Sequence, residues 1–411
     1  MKILNFGSCN IDYVYSLDHI VRTGETETTH KLETFPGGKG LNQSIAVARA
    51  GAKIYHAGCV GNDGAMLLDI LANSGVDISH IRRLGVKNGH AVIQLSSSGE
   101  NSIFLYPGSN EMIDKELIDK VLCDFGKGDI ILLQNEISNV GYIIEKAYKK
   151  GMCIIFNPAP FNDGIRNIDF NMISYIVLNE VEAAEMSGFE EPEKSLEYLG
   201  CTYPDLRVVL TLGENGCVYM DREQKLRQAA FSVDVADTTA AGDTFTGYFA
   251  AGLSRGDEVS DILKTASAAS AIAVSRSGAA PSIPEREEVM AALEYLKVNS
   301  SSRKNESLRK RIDEYIGQNL KTAALSELAG ILGYSSVYTG ELVKKLTGKT
   351  FAKLLQSKRC AVAAELLVNS DLSVKEIIES VGYENESFFR EIFKERYGKK
   401  PLEYRKSARG E

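Results

Sequence analysis

The sequence has no apolar run near the roughly 20 residues that a membrane-spanning helix requires. Its first residues, Met1-Lys2-Ile3-Leu4-Asn5, also lack the layout of a secretory signal. These two absences predict a cytoplasmic protein without a membrane partner. With 411 residues, 44% hydrophobic and 25% charged, the chain has the composition of a soluble globular protein, and its length predicts two domains.

Paired cysteines are missing as well. The seven Cys residues include no C-x-x-C pair and have no His at metal-ligand spacing, which argues against a zinc site and a disulfide framework. They lie at positions 9, 59, 123, 153, 201, 217 and 360. An odd and scattered set of this kind predicts reduced thiols packed in the core.

Two nucleotide-binding signatures are also absent. Neither G-x-x-x-x-G-K-[ST] nor G-x-G-x-x-G after a strand occurs in the chain. A different glycine-rich segment, Phe35-Pro36-Gly37-Gly38-Lys39-Gly40-Leu41-Asn42-Gln43, opens a predicted helix. Its glycines allow close backbone approach, yet taken alone the segment is more typical of a tight turn than of a binding site.

The net charge of −8 is unevenly distributed. Residues 303–411 hold 21 Lys and Arg against 15 Asp and Glu, a balance of +6, which leaves −14 for residues 1–302. The polar residues 299–305 separate these regions and have the composition of a linker. The sequence therefore predicts one domain over residues 1–297, a linker over 298–306 and a second domain over 307–408.

Short apolar runs alternate with amphipathic segments in the first region, at residues 130–133, 153–156, 175–178 and 208–211. This order predicts an α/β fold in which helices cover both faces of a parallel sheet, with ligands beyond the carboxyl ends of the strands. Residues 11–34 and 90–106 are more polar and alternate locally, which predicts a small antiparallel β flap. A flap over a crevice is a candidate lid.

The segment Asp237-Thr238-Thr239-Ala240-Ala241-Gly242-Asp243-Thr244-Phe245 precedes an apolar helical stretch. Small residues at a helix start let backbone N–H groups approach a phosphate, and the helix dipole adds about half a positive charge there. Asp243, if placed between a sugar and a phosphoryl group, can accept the proton of an attacking hydroxyl. An ordinary helix start, with Asp as a favourable first-turn charge, explains this spacing equally well.

Taken together, these segments resemble the ribokinase (PfkB) family of carbohydrate kinases over residues 1 to about 297. Seven motifs occur in the family's order, which makes a chance match implausible. They are Gly7-Ser8-Cys9-Asn10-Ile11-Asp12, Gly24-Glu25-Thr26, residues 37–42, Asn157-Pro158-Ala159-Pro160, Asn179-Glu180-Val181-Glu182, Thr211-Leu212-Gly213-Glu214-Asn215-Gly216 and residues 237–245. One departure is Ala240, where many relatives have Gly.

The resemblance implies a role for each matching position. Asp243 is expected to be the catalytic base. Its backbone amide and those of Ala240, Ala241 and Gly242 are expected to form an anion hole. The expected substrate-binding residues are Asn10, Asp12, Gly38, Lys39, Gly40, Asn42, Glu136 and Asp243. Those expected around the nucleotide are Asn179, Thr211, Gly213, Gly216 and Gly242.

The resemblance also implies ATP, Mg²⁺ and K⁺ as cofactors. Asn179 and Glu182 match the family's N-x-x-E pair, in which the Glu holds Mg²⁺ through water. The K⁺ ligands are expected at Asp237 and the Thr239 carbonyl, completed by Ala273, Arg276, Gly278 and Ser282. The flap often forms a dimer interface in this family, so a homodimer is expected.

An internal repeat marks the second region. Residues 325–334 are echoed by residues 374–383, and each copy has the order helix, glycine turn, helix, with a connecting helix predicted over 351–368. The region is similar to the AraC family of transcription regulators, which implies binding to double-stranded DNA. The cations expected to meet DNA are Lys344, Lys345, Arg390, Lys394 and Arg396. A helical bundle that serves oligomerisation is the alternative.

The favoured function is ATP-dependent phosphorylation of a ribose-like pentose by a carbohydrate kinase that also binds specific DNA sequences and regulates sugar-use genes. The alternative is a regulator whose kinase fold only senses sugar and has lost turnover. The presence of Asp243 and Glu182 favours the first, because a pure sensor has no need of a base. Asn10 and Asp12 favour ribose or deoxyribose, although nucleosides, other pentoses and fructose use variants of the same fold.

Overall fold

The computed structural model describes residues 1–296, 300–383 and 385–409. The chain divides into two compact units, Met1–Ser302 and Arg303–Glu411. This division falls within the predicted linker 298–306. Residues 298 and 299 lie outside the described residues, and the chain is helical from Ser300 onward. Polar residues such as Lys and Arg extend a helix readily when an amphipathic segment follows them, so composition alone did not reveal this helix.

The described part of the first unit alternates strands and helices. Its strands are β1 (Ile3–Phe6), β2 (Asn10–Leu17), β3 (Lys31–Gly37), β4 (Ile54–Val60), β5 (Asp77–Arg83), β6 (Gly89–Ser96), β7 (Asn101–Tyr106), β8 (Ile130–Gln134), β9 (Cys153–Asn157), β10 (Tyr175–Asn179), β11 (Arg207–Thr211), β12 (Cys217–Met220) and β13 (Lys225–Gln228). Its helices are α1 (Lys39–Arg49), α2 (Ala65–Asn73), α3 (Lys115–Leu122), α4 (Val140–Lys149), α5 (Glu180–Ser187), α6 (Pro192–Thr202), α7 (Ala241–Arg255), α8 (Val259–Val274) and α9 (Arg286–Ala292).

Nine of these strands form the main sheet, in the order β13, β12, β11, β10, β9, β8, β1, β4, β5. The pairs from β5 to β11 are parallel, and β12 and β13 are antiparallel at one edge. Side chains of β8 alternate between two cores, with Ile130 and Leu132 in one and Ile131 and Leu133 in the other. Both faces are therefore covered, which confirms the predicted α/β fold.

A second sheet of four strands has the order β3, β2, β6, β7 and corresponds to the predicted flap. The outer pairs are antiparallel, but the central pair of β2 and β6 is parallel, so the prediction of an antiparallel flap was wrong for that pair. The reason is topological. The strands β1 and β5, which precede β2 and β6, both end at the carboxyl edge of the main sheet, so β2 and β6 leave that edge in the same direction.

The seven cysteines divide into three groups by burial, and Cys153 alone is partly buried. Cys9, Cys59, Cys217 and Cys360 are buried free thiols, as predicted. Cys123 and Cys201 are exposed, so the prediction that all seven lie in the core was wrong. Both follow or end surface helices, where scattered spacing carries no information about burial.

The second unit is helical throughout its described secondary structure. Its helices are α10 (Ser300–Gln318), α11 (Leu325–Leu332), α12 (Ser336–Thr347), α13 (Phe351–Asn369), α14 (Val374–Ser380), α15 (Glu386–Tyr397) and α16 (Pro401–Arg409). Helix α13 contributes Leu354 and Leu355 to one core and Cys360 and Leu367 to another, so it connects two helix-turn-helix bodies as predicted. No described helix of either unit is both long and apolar enough to cross a membrane.

Candidate active site

Polar side chains gather in the first unit where parallel strands end and helices α1 and α7 begin. Two cavities lie at this edge. The first, of about 460 Å³, is lined in part by Asn10, Tyr106, Asn110 and Glu136. The second, of about 210 Å³, is lined in part by Lys39, Asn157, Asn179, Glu182, Thr211 and residues 240–243. Motifs far apart in the chain thus meet in one place.

The glycines of residues 37–40 make room for this site. A Cβ on Gly37 would lie 2.0 Å from Asp12 Oδ2, so only glycine leaves space for that carboxylate. Gly38 has a φ of 95°, a conformation that favours glycine, immediately before α1. Gly40 packs against Ser8, where a Cβ would come within 2.3 Å of the backbone nitrogen. These residues therefore position the loop that carries Asn10.

Two carboxylates, Glu136 and Asp12, influence each other's charge, and Glu136 lines the first cavity. Glu136 Oε2 accepts from the Ser8 hydroxyl and from the Lys39 backbone N–H at 3.0 Å. Burial raises the pKa of Glu136, although the charge of Lys39 and these donors oppose the rise. Burial and the charges of Glu136 and Asp243 raise the pKa of Asp12 to about 7. Asp12 is therefore only partly ionised near neutral pH.

Lys39 supplies positive charge between the cavities. Burial alone would lower its pKa, but the charges of Asp243, Glu136 and Glu182 outweigh burial and raise it. Its side chain lines the second cavity rather than the first. Lys39 therefore remains a cation at neutral pH.

Asp243 is buried in the first turn of α7, and both of its carboxylate oxygens accept from amides of α1. Asn42 Nδ2 donates to Oδ2 at 3.0 Å, and Gln43 Nε2 donates to Oδ1 at 2.9 Å. First-turn N–H groups have no partner within their own helix, so those of Gly242 and Asp243 are available to an anion. The Ala241 N–H instead contacts the Thr238 carbonyl at 3.3 Å.

Ala240 precedes α7 in the left-handed conformation, with a φ of 59°. This conformation costs a residue with a Cβ about 1 kcal/mol. The strain falls on the one position of this segment where many relatives have Gly, and this residue lines the second cavity.

Asn179 and Glu182 form a capping box at the start of α5. The Glu182 oxygens accept from the Asn179 backbone N–H and side-chain amide, each at 3.0 Å. Burial raises the pKa of Glu182. Each oxygen retains a lone pair, and hard oxygen ligands of this kind suit Mg²⁺ and its bound waters.

The Asp237 carboxylate joins two loops. Its Oδ1 accepts from the Thr239 backbone N–H at 2.9 Å and hydroxyl at 2.6 Å, and its Oδ2 accepts from the Gly278 N–H at 3.0 Å. These hydrogen bonds outweigh burial and lower the pKa of Asp237. Among the other expected K⁺ ligands, the Arg276 guanidinium pairs with Glu288, and the Ser282 hydroxyl donates to the Ala279 carbonyl. Backbone carbonyls and one carboxylate are oxygen donors that suit an alkali cation.

Three expected nucleotide positions differ in their surroundings. Thr211 lines the second cavity. Gly213 has a φ of 52° and begins a short turn. Gly216 packs against β13, where a Cβ would lie 2.0 Å from the Gln228 carbonyl oxygen. Glycine at position 216 is therefore already required by the contact with β13.

Two kinds of positioning residue were not among the predicted site residues. Buried Asn110 accepts from the Cys9 N–H at 3.1 Å and donates to Asn10 Oδ1 at 2.7 Å. The Asn10 NH₂ group thus faces away from Asn110 and is available to a ligand. No local pattern marks Asn110. Gln43 and Gln134 form a buried amide contact, and a signal for Gln43 existed because it adjoins Asn42 in the glycine-rich segment.

The expected DNA-contacting cations lie on α12 and α15, the second helix of each repeat. Lys344, Lys345, Arg390 and Lys394 are exposed, and Arg390 also pairs with Glu386. Arg396 is exposed too, and it donates to Ser357 Oγ and lies over the Tyr397 ring. Near the start of each helix, an aromatic residue that the sequence analysis did not select is about half exposed, Tyr338 on α12 and Phe388 on α15.

A family model described as pfkB family carbohydrate kinase matches residues 1–286. The chain belongs to this family. Among similar pfkB proteins, the ribokinase of Haemophilus influenzae is 35% identical over 302 residues, which cover 70% of this chain and 97% of that protein. The deoxyribokinase of Salmonella typhi is 28% identical over 313 residues, or 73% and 100% of the two chains. The first unit is thus a ribokinase-like carbohydrate kinase, as predicted.

Solved structures of pfkB relatives agree with this assignment. The ribokinase of Thermotoga maritima has 34% identity and a TM-score of 0.63, covering 71% of this chain and 99% of that one. The Arabidopsis thaliana ribokinase complexed with ribose and ATP has 27% identity and the same TM-score, covering 71% and 98%. A helix-turn-helix model matches residues 328–407. The predicted fusion of a pfkB kinase with an AraC-type helix-turn-helix domain is confirmed.

Proposed function

We propose that the first unit transfers the γ-phosphoryl group of ATP to a hydroxyl of ribose or a close relative, with Asp243 as the base. The second unit binds duplex DNA and regulates sugar-use genes. The observation that carries the proposal is the placement of Asp243. It lies buried at a helix N-terminus in the second cavity, and its charge acts on Asp12 and on Glu136, which lines the first cavity.

The first cavity offers both donors and acceptors to a sugar. The Asn10 NH₂ group donates, and Asp12 and Glu136 accept from hydroxyls. Asn42 Oδ1 is buried and has no hydrogen-bond partner among the described residues. A buried acceptor without a partner costs about 1–3 kcal/mol, so a sugar hydroxyl that donates to Asn42 is a favoured ligand.

The second cavity supplies the groups that phosphoryl transfer needs. Asp243 takes the proton of the attacking hydroxyl while the Gly242 and Asp243 N–H groups face the charge that develops on the phosphoryl oxygens. Lys39 adds a cation in the same cavity. We assign Lys39 to the phosphoryl group as well as to the sugar, because its side chain lines the second cavity.

Two cations complete this proposal. Glu182 and Asn179 would hold Mg²⁺ through water, and the ion would neutralise phosphate charge. Asp237, the Thr239 carbonyl and the backbone of residues 273–282 would hold K⁺. A bound K⁺ would steady the loop that leads into Ala240, because Asp237 already ties that loop to Gly278.

The helix-turn-helix domain supports a DNA-binding role in the cytoplasm. Lys344, Lys345, Arg390 and Lys394 would contact phosphates or base edges from α12 and α15, and Arg396, also exposed, would do so from beside its contact with Ser357. We keep residues 1–297 and 307–408 as the two functional domains. Binding is expected to weaken steeply as salt concentration rises.

A homodimer through the flap would connect the two functions. Four consecutive residues of edge strand β7 are each about half exposed or more, and such an apolar edge favours pairing with another chain. They are Ile103, Phe104, Leu105 and Tyr106. Sugar that closes the flap would alter this pairing and thereby DNA affinity. The test is operator affinity with and without sugar, and equal affinities would contradict coupling.

The decisive experiment separates the kinase from a silent sensor. Purified protein is incubated with ATP, Mg²⁺ and K⁺ and with ribose, deoxyribose, other pentoses, fructose or nucleosides, and sugar-dependent ADP is measured. We expect ADP with ribose or deoxyribose. Thermal shift measures binding of the same compounds. Binding without ADP from any compound would favour the sensor.

A further inference from the structure

We propose that Gln43 and Gln134 are positioning residues for Asp243, and that a chain of buried amides fixes the direction in which its carboxylate accepts a proton. The inference rests on the proposed function, in which Asp243 is the base. Neither glutamine lines the first or the second cavity. Both act through another side chain.

The chain of amides begins at Asn5 on β1. Asn5 Nδ2 donates to the Gly40 carbonyl at 2.7 Å, which leaves Asn5 Oδ1 to accept from Gln134 Nε2 at 3.1 Å. Gln134 Nε2 also donates to Gln43 Oε1 at 2.7 Å. Gln43 Nε2 then donates to Asp243 Oδ1 at 2.9 Å. Gln134 thus donates in both directions, to Asn5 and to Gln43, and Gln43 in turn donates to the carboxylate.

A second anchor requires the same orientation independently. Asn157 Nδ2 donates to the Val177 carbonyl at 2.9 Å, so Asn157 Oδ1 faces Gln43 Nε2 at 3.3 Å. A backbone carbonyl accepts hydrogen bonds and cannot donate, so it determines which end of a neighbouring amide faces it. The Gly40 carbonyl orients Gln43 through Asn5 and Gln134, and the Val177 carbonyl orients it through Asn157. Both orientations direct the Gln43 NH₂ group toward Asp243.

Burial makes this orientation rigid. Asn5 and Gln43 have no exposed surface, and Gln134 has 1%. Rotating any one amide would bring two oxygens together without water to separate them. With Gln43 on Oδ1 and Asn42 on Oδ2, each carboxylate oxygen keeps a lone pair for the substrate hydroxyl.

These buried amides are not explained by stability alone. Gln134 Oε1 is buried without a hydrogen-bond partner among the described residues, which costs about 1–3 kcal/mol. Apolar side chains would fill these positions without that cost. The arrangement is explained if its benefit is the orientation of Asp243.

The test replaces a hydrogen-bond donor of the amide chain by an acceptor, at a residue that lines neither cavity. Gln134→Glu has nearly the same shape, but the oxygen that replaces Nε2 faces both Asn5 Oδ1 and Gln43 Oε1. Even a protonated Glu can donate to only one of these two oxygens, so the other contact is relieved if Gln43 rotates its amide, which turns an oxygen toward Asp243. We expect kcat to fall about 100-fold, because small displacements of a reacting group cost this much. The KM values for sugar and ATP should change less than about threefold, since the first cavity is untouched.

A second variant and a control keep the test interpretable. Gln134→Met is neutral and of similar length but donates no hydrogen bond, and we expect about a tenfold fall in kcat. Tyr248→Phe on α7 removes a buried hydrogen bond to the Pro284 carbonyl and leaves the amides intact. It should lower the melting temperature and retain kcat.

The outcomes distinguish the inference from the proposed function. If both Gln134 variants bind sugar and retain kcat within about twofold, the positioning role is overturned. The same holds if kcat falls equally in Tyr248→Phe. If Asp243→Asn retains turnover, the assignment of the base fails instead, and the positioning role falls with it.

Discussion

The two units carry their functional charges in opposite ways. In the kinase unit, Asp243 and Glu182 are buried and Lys39 lies beside them, so each charge acts on the others. In the helix-turn-helix unit, cations such as Lys344 and Lys394 are exposed. Coulomb interactions are strong in a poorly polarisable interior and are screened by water and salt at a surface. Single substitutions should therefore have large, coupled effects in the first unit and small, additive effects in the second.

The largest expected effect comes from removing the buried base. Asp243→Asn preserves shape and removes the proton acceptor, so kcat should fall about 1,000-fold while the sugar dissociation constant changes little. Steady-state kinetics and calorimetry measure the two quantities. Asp69→Asn, an exposed carboxylate on α2, is the matched control and should leave both unchanged. Turnover above one tenth of wild type would contradict the role of Asp243.

The coupled carboxylates should also appear in a pH profile. Because the pKa of Asp12 is raised to about 7, this group takes up a proton below that pH and loses an acceptor for sugar hydroxyls. The value of kcat/KM for sugar should fall about tenfold per pH unit below pH 7, since this ratio reports groups of the free enzyme. Asp12→Asn should have a lower kcat/KM without this acidic limb. If the Asp12→Asn variant still showed the fall in kcat/KM below pH 7, another group would be responsible for that fall.

A smaller effect is expected at the left-handed residue before α7. Ala240→Gly should raise the free energy of unfolding by about 1 kcal/mol, because glycine adopts a φ of 59° without the clash of a Cβ. Ala241→Gly removes the same methyl group in a helical conformation and should lower it. Urea unfolding compares the two variants. Shifts of the same sign would show that backbone conformation does not determine the effect.

The smallest effect should come from a single exposed cation. Lys394→Ala removes one phosphate contact, so the slope of log affinity against log salt should fall by about 0.9. Between 50 and 200 mM salt this changes the loss of affinity by about threefold. Lys264→Ala removes the same charge from the kinase unit and is the control. A slope equal to that of the control would place Lys394 away from the DNA.

The helices of the second unit were easier to predict than the site of the first. The repeat of helix, glycine turn and helix consists of consecutive residues, so it is visible in the sequence. The helices α11 to α15 lie close to their predicted positions. Arg396 is the exception. Helical spacing correctly places it on the surface, but its contact with Ser357 could not be predicted, because that contact depends on the packing of α13 against α15.

For the kinase unit, local sequence was sufficient to predict strands, glycine turns, the start of α7 and Asp243, because strand periodicity and helix N-termini are properties of neighbouring residues. The parallel direction of β2 and β6, the role of Asn110 and the amides around Asp243 were not predictable in this way. Gln43 is 91 positions from Gln134 and 200 from Asp243. Hydrogen-bond direction across such separations exists only after the strands and helices have packed, because each amide takes its orientation from a partner on another element.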